Sequence, residues 1–283
     1  MIAQRIPGIL PEVSEAECLE VSAIYSVAGL LDAEHPLITC RPFQSPHHTI
    51  SNAALVGGGM KIHPGAISLS HRGVLFLDEL TEFPRNILEC LRQPLEDHKV
   101  NIARAQGNYQ YPANFMLVCA MNPCKCGYYP DKNRCRCSEK DMIQYRNRLS
   151  GPLLDRIDMY VETSRVDLML LQGNGKEEST ETIRKRVEAA RRIQERRFRK
   201  KNYSFNSEMK AADVEAFCVL GKKEKQLMEM AYSTLKLSAR TYHRVLKVAR
   251  TIADLDGSEE IKEKHISEAL AYRMTERNGG SEG

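Results

Sequence analysis

The sequence predicts an α/β fold, a sheet with helices on both faces, followed by an all-helical domain. Two unbroken apolar runs, Val74–Leu77 and Phe115–Ala120, suit strands of a parallel sheet buried on both sides. A helix-forming stretch and a hairpin pattern lie between them, the order expected of an α/β sheet. From Thr182 onward the apolar residues recur only at helical spacing.

In chain order, Ser14 and Glu17 have capping-box spacing, and Cys18, Val21, Ile24, Ala28 and Leu31 form one apolar helix face. Residues 41–65 are rich in Pro, His and Gly, with Pro42, Pro46, His47, His48 and Gly57, Gly58 and Gly59. They read as a long loop or insert, a length usually reserved for function. After the strand Val74–Leu77, a helix carries Ile87, Leu88, Leu91 and Leu95, with Pro94 expected to kink or end it. Val100–Ala105 and Asn108–Tyr111 flank Gln106-Gly107 as a β-hairpin. Phe115–Ala120 is the second buried strand. Ser138 and Asp141 start a helix that Gly151-Pro152 breaks; a short helical turn at Leu153–Ile157 and a short strand at Met159–Glu162 follow. The polar segment within 167–181 marks a linker. The domains are then 1–166, a linker 167–181, a helical domain 182–275 and a frayed tail 276–283.

The 283 residues hold 42% hydrophobic and 28% charged side chains, which excludes wholesale disorder. No apolar run approaches the ~20 residues that span a bilayer, and the N-terminus shows no secretory signal. With nine cysteines, the chain reads as cytoplasmic, its thiols free or bound to metal. A net charge of +4 is too mild to diagnose a nucleic-acid binder, so charge placement decides. The basic helix Ile183–Lys201 is a candidate DNA-facing surface, although its charges circle the helix and suit plain solvation equally.

The strongest chemical signal is Leu75-Phe-Leu-Asp-Glu79. Open α/β sheets bind ligands at the carboxyl ends of their strands. There Asp78 can hold Mg²⁺ through its water shell and Glu79 can activate an attacking water; surface acids closing a strand are the bland alternative. Asn122 follows the second strand and can donate to a phosphate and orient water, or simply make an Asn-Pro turn with Pro123. Arg156 ends a short helix, where it can reach a phosphate site on a neighbouring subunit or pair with Asp155 or Asp158. Arg240 and Arg244 share one helix face, where an anionic ligand would relieve their repulsion.

Cys124, Cys126, Cys135 and Cys137 form C-x-C-x8-C-x-C, four thiolates able to close a structural Zn²⁺ site, although the usual spacing is C-x2-C and four free thiols are the alternative. Lys125, Lys132, Arg134 and Arg136 would offset the charge of such a centre. The remaining five cysteines read as core residues.

Together these segments resemble the magnesium-chelatase-like branch of the AAA+ ATPases, and within it the competence-related ComM/YifB group. The carrying motifs are Arg41-Pro-Phe-Gln-Ser-Pro-His-His48, Ala54-Leu-Val-Gly-Gly-Gly59, Gly73-Val-Leu-Phe-Leu-Asp-Glu-Leu80, Ala120-Met-Asn-Pro-Cys124, Leu149-Ser-Gly-Pro-Leu-Leu-Asp-Arg-Ile-Asp158 and Val248-Ala-Arg-Thr-Ile-Ala-Asp254. The resemblance implies a partial P-loop-NTPase sheet and a helical lid. It implies that Asp78 and Glu79 are the Walker B pair, Asn122 sensor 1, Arg156 the arginine finger and Arg240 the sensor 2 arginine, with Arg244 beside it at the nucleotide. It places Arg104 and Gln106 on a pre-sensor-1 hairpin and His47 and His48 in a helix-2 insertion, both facing DNA in the pore of a hexameric ring. ATP and Mg²⁺ are the implied cofactors, and helicase or branch-migration work on DNA the implied activity.

One departure stands out. No G-x-x-x-x-G-K-[ST] phosphate loop occurs in the chain, and by resemblance it would precede Met1, so these residues alone are expected neither to bind nor to hydrolyse ATP. Two alternatives are a magnesium chelatase motor subunit and a regulatory ring partner without a phosphate loop of its own.

Overall fold

The computed structural model describes residues 2–59, 61–104, 107–163 and 178–277. The chain divides into two units, Met1–Arg156 and Ile157–Gly283.

Among the described residues, the first unit is built on seven strands: β1 (Phe43–Gln44), β2 (Gly57–Gly58), β3 (His63–Pro64), β4 (Val74–Leu77), β5 (Lys99–Arg104), β6 (Gly107–Pro112) and β7 (Met116–Cys119). The main sheet has the order β1-β4-β7 with both pairings parallel; Phe43 lies opposite Val74, and Leu77 opposite Cys119. Val74, Leu75 and Leu77 are fully buried, as the unbroken apolar run requires. Around them pack Leu55, Ile67, Leu80, Leu88, Leu91 and Leu153. Gly73 permits the tightest approach in the sheet. A β-carbon there would stand 2.0 Å from the Pro42 carbonyl oxygen, which accepts the Val74 amide at 2.8 Å. Strands β2 and β3 pair antiparallel, as do β5 and β6, the latter forming the expected hairpin. Residues 105 and 106 at its tip lie outside the described residues.

The stretch 41–65 reads as loop in the sequence, yet it contains β1, a sheet strand. Two residues carry no periodicity; their extended form comes from pairing with β4. Arg41 fixes the approach to β1. Its nearly buried guanidinium donates to the carbonyls of Pro11, Glu12 and Arg72 and to the Glu17 carboxylate. The single helix expected around Leu88 is two, Arg85–Glu89 and Arg92–Asp97. Pro94 falls in the first turn of the second, where its missing N–H would have been unpaired.

The second unit packs the helices Thr180–Phe198, Ala211–Phe217, Lys222–Thr234, Ala239–Leu255 and Glu263–Arg277 around Phe198, Met228, Val245, Ala249 and Ile266. Buried Asp254 accepts from Arg197, Arg250 and Asn206, pinning Thr180–Phe198 to Ala239–Leu255. Cutting one partner from such a buried set typically costs about 3–5 kcal/mol. Met159–Glu162 is not the expected strand. This segment docks on the last helix, the Tyr160 amide donating to the Tyr272 carbonyl and Arg273 to the Ile157 carbonyl. That docking explains why the contacts divide at Arg156, ahead of the sequence boundary at 167–181. Of that linker only 178–181 is described, and Ser179 already caps the helix from Thr180. The tail 278–283 lies outside the described residues. Among the described residues, no helix is long and apolar enough to cross a membrane.

His71 makes one prediction. It is buried, its Nδ1 accepts the Asn114 amide at 3.0 Å, and its Nε2 lies 3.1 Å from Glu20 Oε2. This arrangement needs a neutral ring, with Nε2–H donating. Burial lowers the ring's pKa, while a hydrogen bond from Arg72 keeps Glu20 ionised. The unfolded ring takes a proton near pH 6.5 and the folded ring resists it, so stability should fall as pH drops through that value. Urea melts at pH 7.5 and 5.5 should show a lower midpoint at 5.5, with a smaller difference in His71→Gln. Equal midpoints for the wild type would refute this.

Candidate functional site

Because β1, β4 and β7 run in one direction, the residues that follow them collect at one edge of the sheet, the edge where open α/β sheets take ligands. His47 and His48 follow β1, Asp78 and Glu79 follow β4, and Asn122 follows β7. The Ala120 amide donates to the Leu77 carbonyl and the Leu80 amide to the Ala120 carbonyl, both at 2.9 Å, so the strand ends stay joined past the formal ladder. Asp78, Glu79 and Asn122 are all exposed here. The structure therefore brings together the three residues that the sequence grouped at a strand-end site.

The turn after β4 is strained. Glu79 has φ 51° and ψ 48°, a left-handed conformation that costs a non-glycine residue about 1–2 kcal/mol. The Asp78 carboxylate accepts the Glu79 amide at 3.0 Å and steadies the turn. Beside it, His48 Nδ1 lies 3.4 Å from Glu79 Oε2. The His48 ring stacks on His47 at 4.0 Å and meets Phe83 edge-on at 6.3 Å. The family resemblance implies that both histidines lie in a DNA-facing insertion; the structure gives His48 an acidic neighbour that sequence reasoning missed, because β1 was not visible as a strand. Arg148 was missed as well. It donates to the Thr81 carbonyl at 3.1 Å and to Glu82 at 3.3 Å, just beyond the acids.

Arg156 is folded onto its own unit. Its side chain is 9% exposed; Nη2 lies 2.5 Å from Glu96 Oε1 and Nη1 donates to the Pro152 carbonyl. Its partner is thus Glu96, rather than the Asp155 or Asp158 weighed from sequence.

The cysteine loop begins two residues after Asn122. Its sulfurs are gathered: Cys124 to Cys126 at 3.3 Å, Cys124 to Cys135 at 3.7 Å, Cys126 to Cys135 at 3.5 Å, with the ligand atoms of all four cysteines within 4.8 Å of one another. Tetrahedral zinc with Zn–S near 2.3 Å needs sulfur–sulfur edges of about 3.8 Å, so the donor set fits such an ion. Burial works against ionising Cys124, but the Tyr129 amide and the neighbouring thiols donate to its sulfur and lower its pKa to about 6. Gly127, at φ 75°, turns the loop back beside Asn122, whose Cγ lies 3.7 Å from where a β-carbon would stand.

Arg104 ends β5, and its Nη2 approaches Gly58 to within 3.1 Å of where a β-carbon would be. Gln106 lies outside the described residues. In the second unit, Arg240 and Arg244 line a cavity of about 210 Å³ with His243, Lys247, Met209, Ala211 and Val214. Arg244 also lies 3.4 Å from Asp158, and Lys247 donates to the Ser207 carbonyl. Spacing along Ala239–Leu255 could have flagged His243 and Lys247, which sit three and seven residues beyond Arg240. Burial lowers the Lys247 pKa, and three cations on one wall suit an anionic ligand. On the basic helix, by contrast, Lys185, Arg191 and Arg192 pair with glutamates of the same helix, Arg186 pairs with Glu178, and Arg197 is taken by Asp254.

Residues 1–171 match the family described as magnesium chelatase, subunit ChlI, and residues 177–273 match its C-terminal counterpart. The chain is 44% identical over 280 residues to the competence protein ComM of Haemophilus influenzae, covering 98% of this chain and 53% of that protein. It is 42% identical over 278 residues to the uncharacterized protein YifB of Escherichia coli, covering 98% and 54%. YifB of Salmonella typhimurium gives the same figures. The chain spans about half the length of the curated relatives it matches.

The strained turn generates a prediction. Glu79→Gly should raise stability by about 1 kcal/mol, the relief of left-handed strain less glycine's extra chain entropy. The melting temperature of the first unit should rise by a few degrees. A fall would mean that the turn carries no strain.

Proposed function

The chain belongs to the magnesium chelatase ChlI family, in its ComM/YifB group, and from that premise we propose that it is the catalytic and lid portion of an ATP-driven ring motor acting on DNA. The observation that carries this reading is the convergence of Asp78, Glu79 and Asn122 at the carboxyl ends of two adjacent parallel strands. Asp78 holds the water shell of Mg²⁺, which supplies charge to the triphosphate. Glu79 draws the proton from the attacking water, and Asn122 holds that water in line. His48 sits where it holds the Glu79 carboxylate until nucleotide is bound. Arg156 serves the neighbouring subunit of a hexamer by exchanging Glu96 for a phosphate. Arg240 and Arg244 present the cationic wall of the second unit to nucleotide. The hairpin at Arg104 and Gln106, and His47 with His48, face DNA, and unwinding or branch migration is the work done. The ComM relative is named a competence protein.

The phosphate-cradling G-x-x-x-x-G-K-[ST] loop does not occur in these 283 residues, so the test joins this chain to a segment that carries one. Phosphate release should then require Mg²⁺ and rise with DNA. Glu79→Gln should lower turnover by about 10²–10⁴-fold while leaving ATP bound. Unchanged turnover in that variant removes Glu79 from the mechanism. Stimulation by a porphyrin-binding partner and none by DNA would replace the DNA reading with the chelatase reading.

The four cysteines hold one structural zinc ion per chain in this proposal. Elemental analysis after purification without chelator should find one equivalent, lost in Cys126→Ser. Absence of zinc from the wild type would leave four free thiols.

A further inference from the structure

The loop Cys124–Cys137 has an outer surface that the ATPase reading does not use. We propose that this surface is a contact for single-stranded nucleic acid, separate from the hairpin; the proposal rests on the reading of the protein as a DNA motor.

The loop is folded inside out relative to an ordinary small loop. Its interior is sulfur, with Cys124 fully buried and the four ligand atoms gathered, and its larger apolar side chains are turned outward. Tyr128 and Tyr129 are 38% and 41% exposed although they adjoin that interior. Around them Lys125, Lys132, Arg134 and Arg136 are all exposed, against Asp131 as the only carboxylate in the fourteen residues. The Arg134 guanidinium is stacked over one face of the Tyr128 ring, 4.1 Å from its centroid, so cation and ring are held together.

Exposed rings set among cations match one partner chemistry. Unpaired bases stack on aromatic faces and guanidinium planes, and the phosphates between them meet lysine and arginine. A duplex offers phosphates but no free base faces, so ring contacts select the single strand. A motor that separates strands produces that ligand, and the loop leaves the sheet at the same edge as Asn122, where nucleotide is read. The gathered sulfurs hold the loop's shape, which lowers the ordering cost of binding.

The test uses zinc-loaded protein and fluorescein-labelled dT20, read by anisotropy, with a 20-base-pair duplex in parallel. Tyr128→Ala/Tyr129→Ala should weaken dT20 binding about tenfold or more and leave the duplex unchanged. Lys132→Glu/Arg134→Glu should weaken dT20 and make its affinity less salt-dependent. Zinc content equal to wild type shows that the loop in each variant is still folded. Arg104→Ala should keep most of the dT20 affinity. The proposal is overturned if the tyrosine variant binds dT20 as the wild type does, if it loses duplex and single strand equally, if polyglutamate competes as well as dT20, or if the wild type does not bind dT20. Wild-type affinity in the loop variants, with DNA-stimulated ATP hydrolysis intact in the joined protein, sinks the loop contact alone. Loss of DNA stimulation in the unaltered joined protein sinks the motor reading instead.

Discussion

The parallel pairing of three short strands is the constraint on which the candidate site depends. Parallel strands must all end at the same edge, so residues far apart in the chain become neighbours without any side-chain attraction between them. His48, Glu79 and Asn122 span 75 positions in sequence, yet register alone sets them together. The pairing rests on backbone approach at Gly73 and on the Arg41 guanidinium, which gathers three carbonyls and a carboxylate at the entry to β1. Neither residue is among the candidate site residues. Both decide whether the chemically suited residues meet.

The site's charged groups are held by partners within their own unit. Glu79 has His48, Arg156 has Glu96, and the acids' flank has Arg148. Each contact is at least partly open to water on one side, so each is weakly bound and exchangeable compared with the buried Asp254 cluster in the helical unit. That contrast separates open, exchangeable pairs from a buried set that holds the fold.

Much of this was legible in the sequence. The apolar runs ending in Asp78-Glu79 and in Asn122 gave the two longer sheet strands, but only β4 has the burial that such a run implies; β7 is half-buried, with Met116 45% exposed, because no further strand pairs with it among the described residues. The hairpin and the helices of the second unit were readable by period, and the four cysteines by spacing. Three things were not. Strand β1 is two residues long and gains its form from β4, so nothing local announces it; with it went the contact of His48. Met159–Glu162 has strand-like composition but docks on a helix, a tertiary outcome that overrides propensity. For Arg156 the sequence offered a phosphate reach or a pair with Asp155 or Asp158; its pairing to Glu96 spans 60 positions that no local pattern connects. The roles of these residues rest on chemistry rather than on the fold, which settles only where they stand.

The short link Asn122-Pro123-Cys124 couples two places usually described apart. The amide faces the Gly127 turn, its Cγ 3.7 Å from where a β-carbon would stand, and Cys124 between them is fully buried. Such coupling is reciprocal. On the proposed reading, a ligand that moves the amide also bears on the sulfur cage two residues away. Thiol reactivity at Cys126, measured with and without nucleotide, would then report on a site that contains no cysteine.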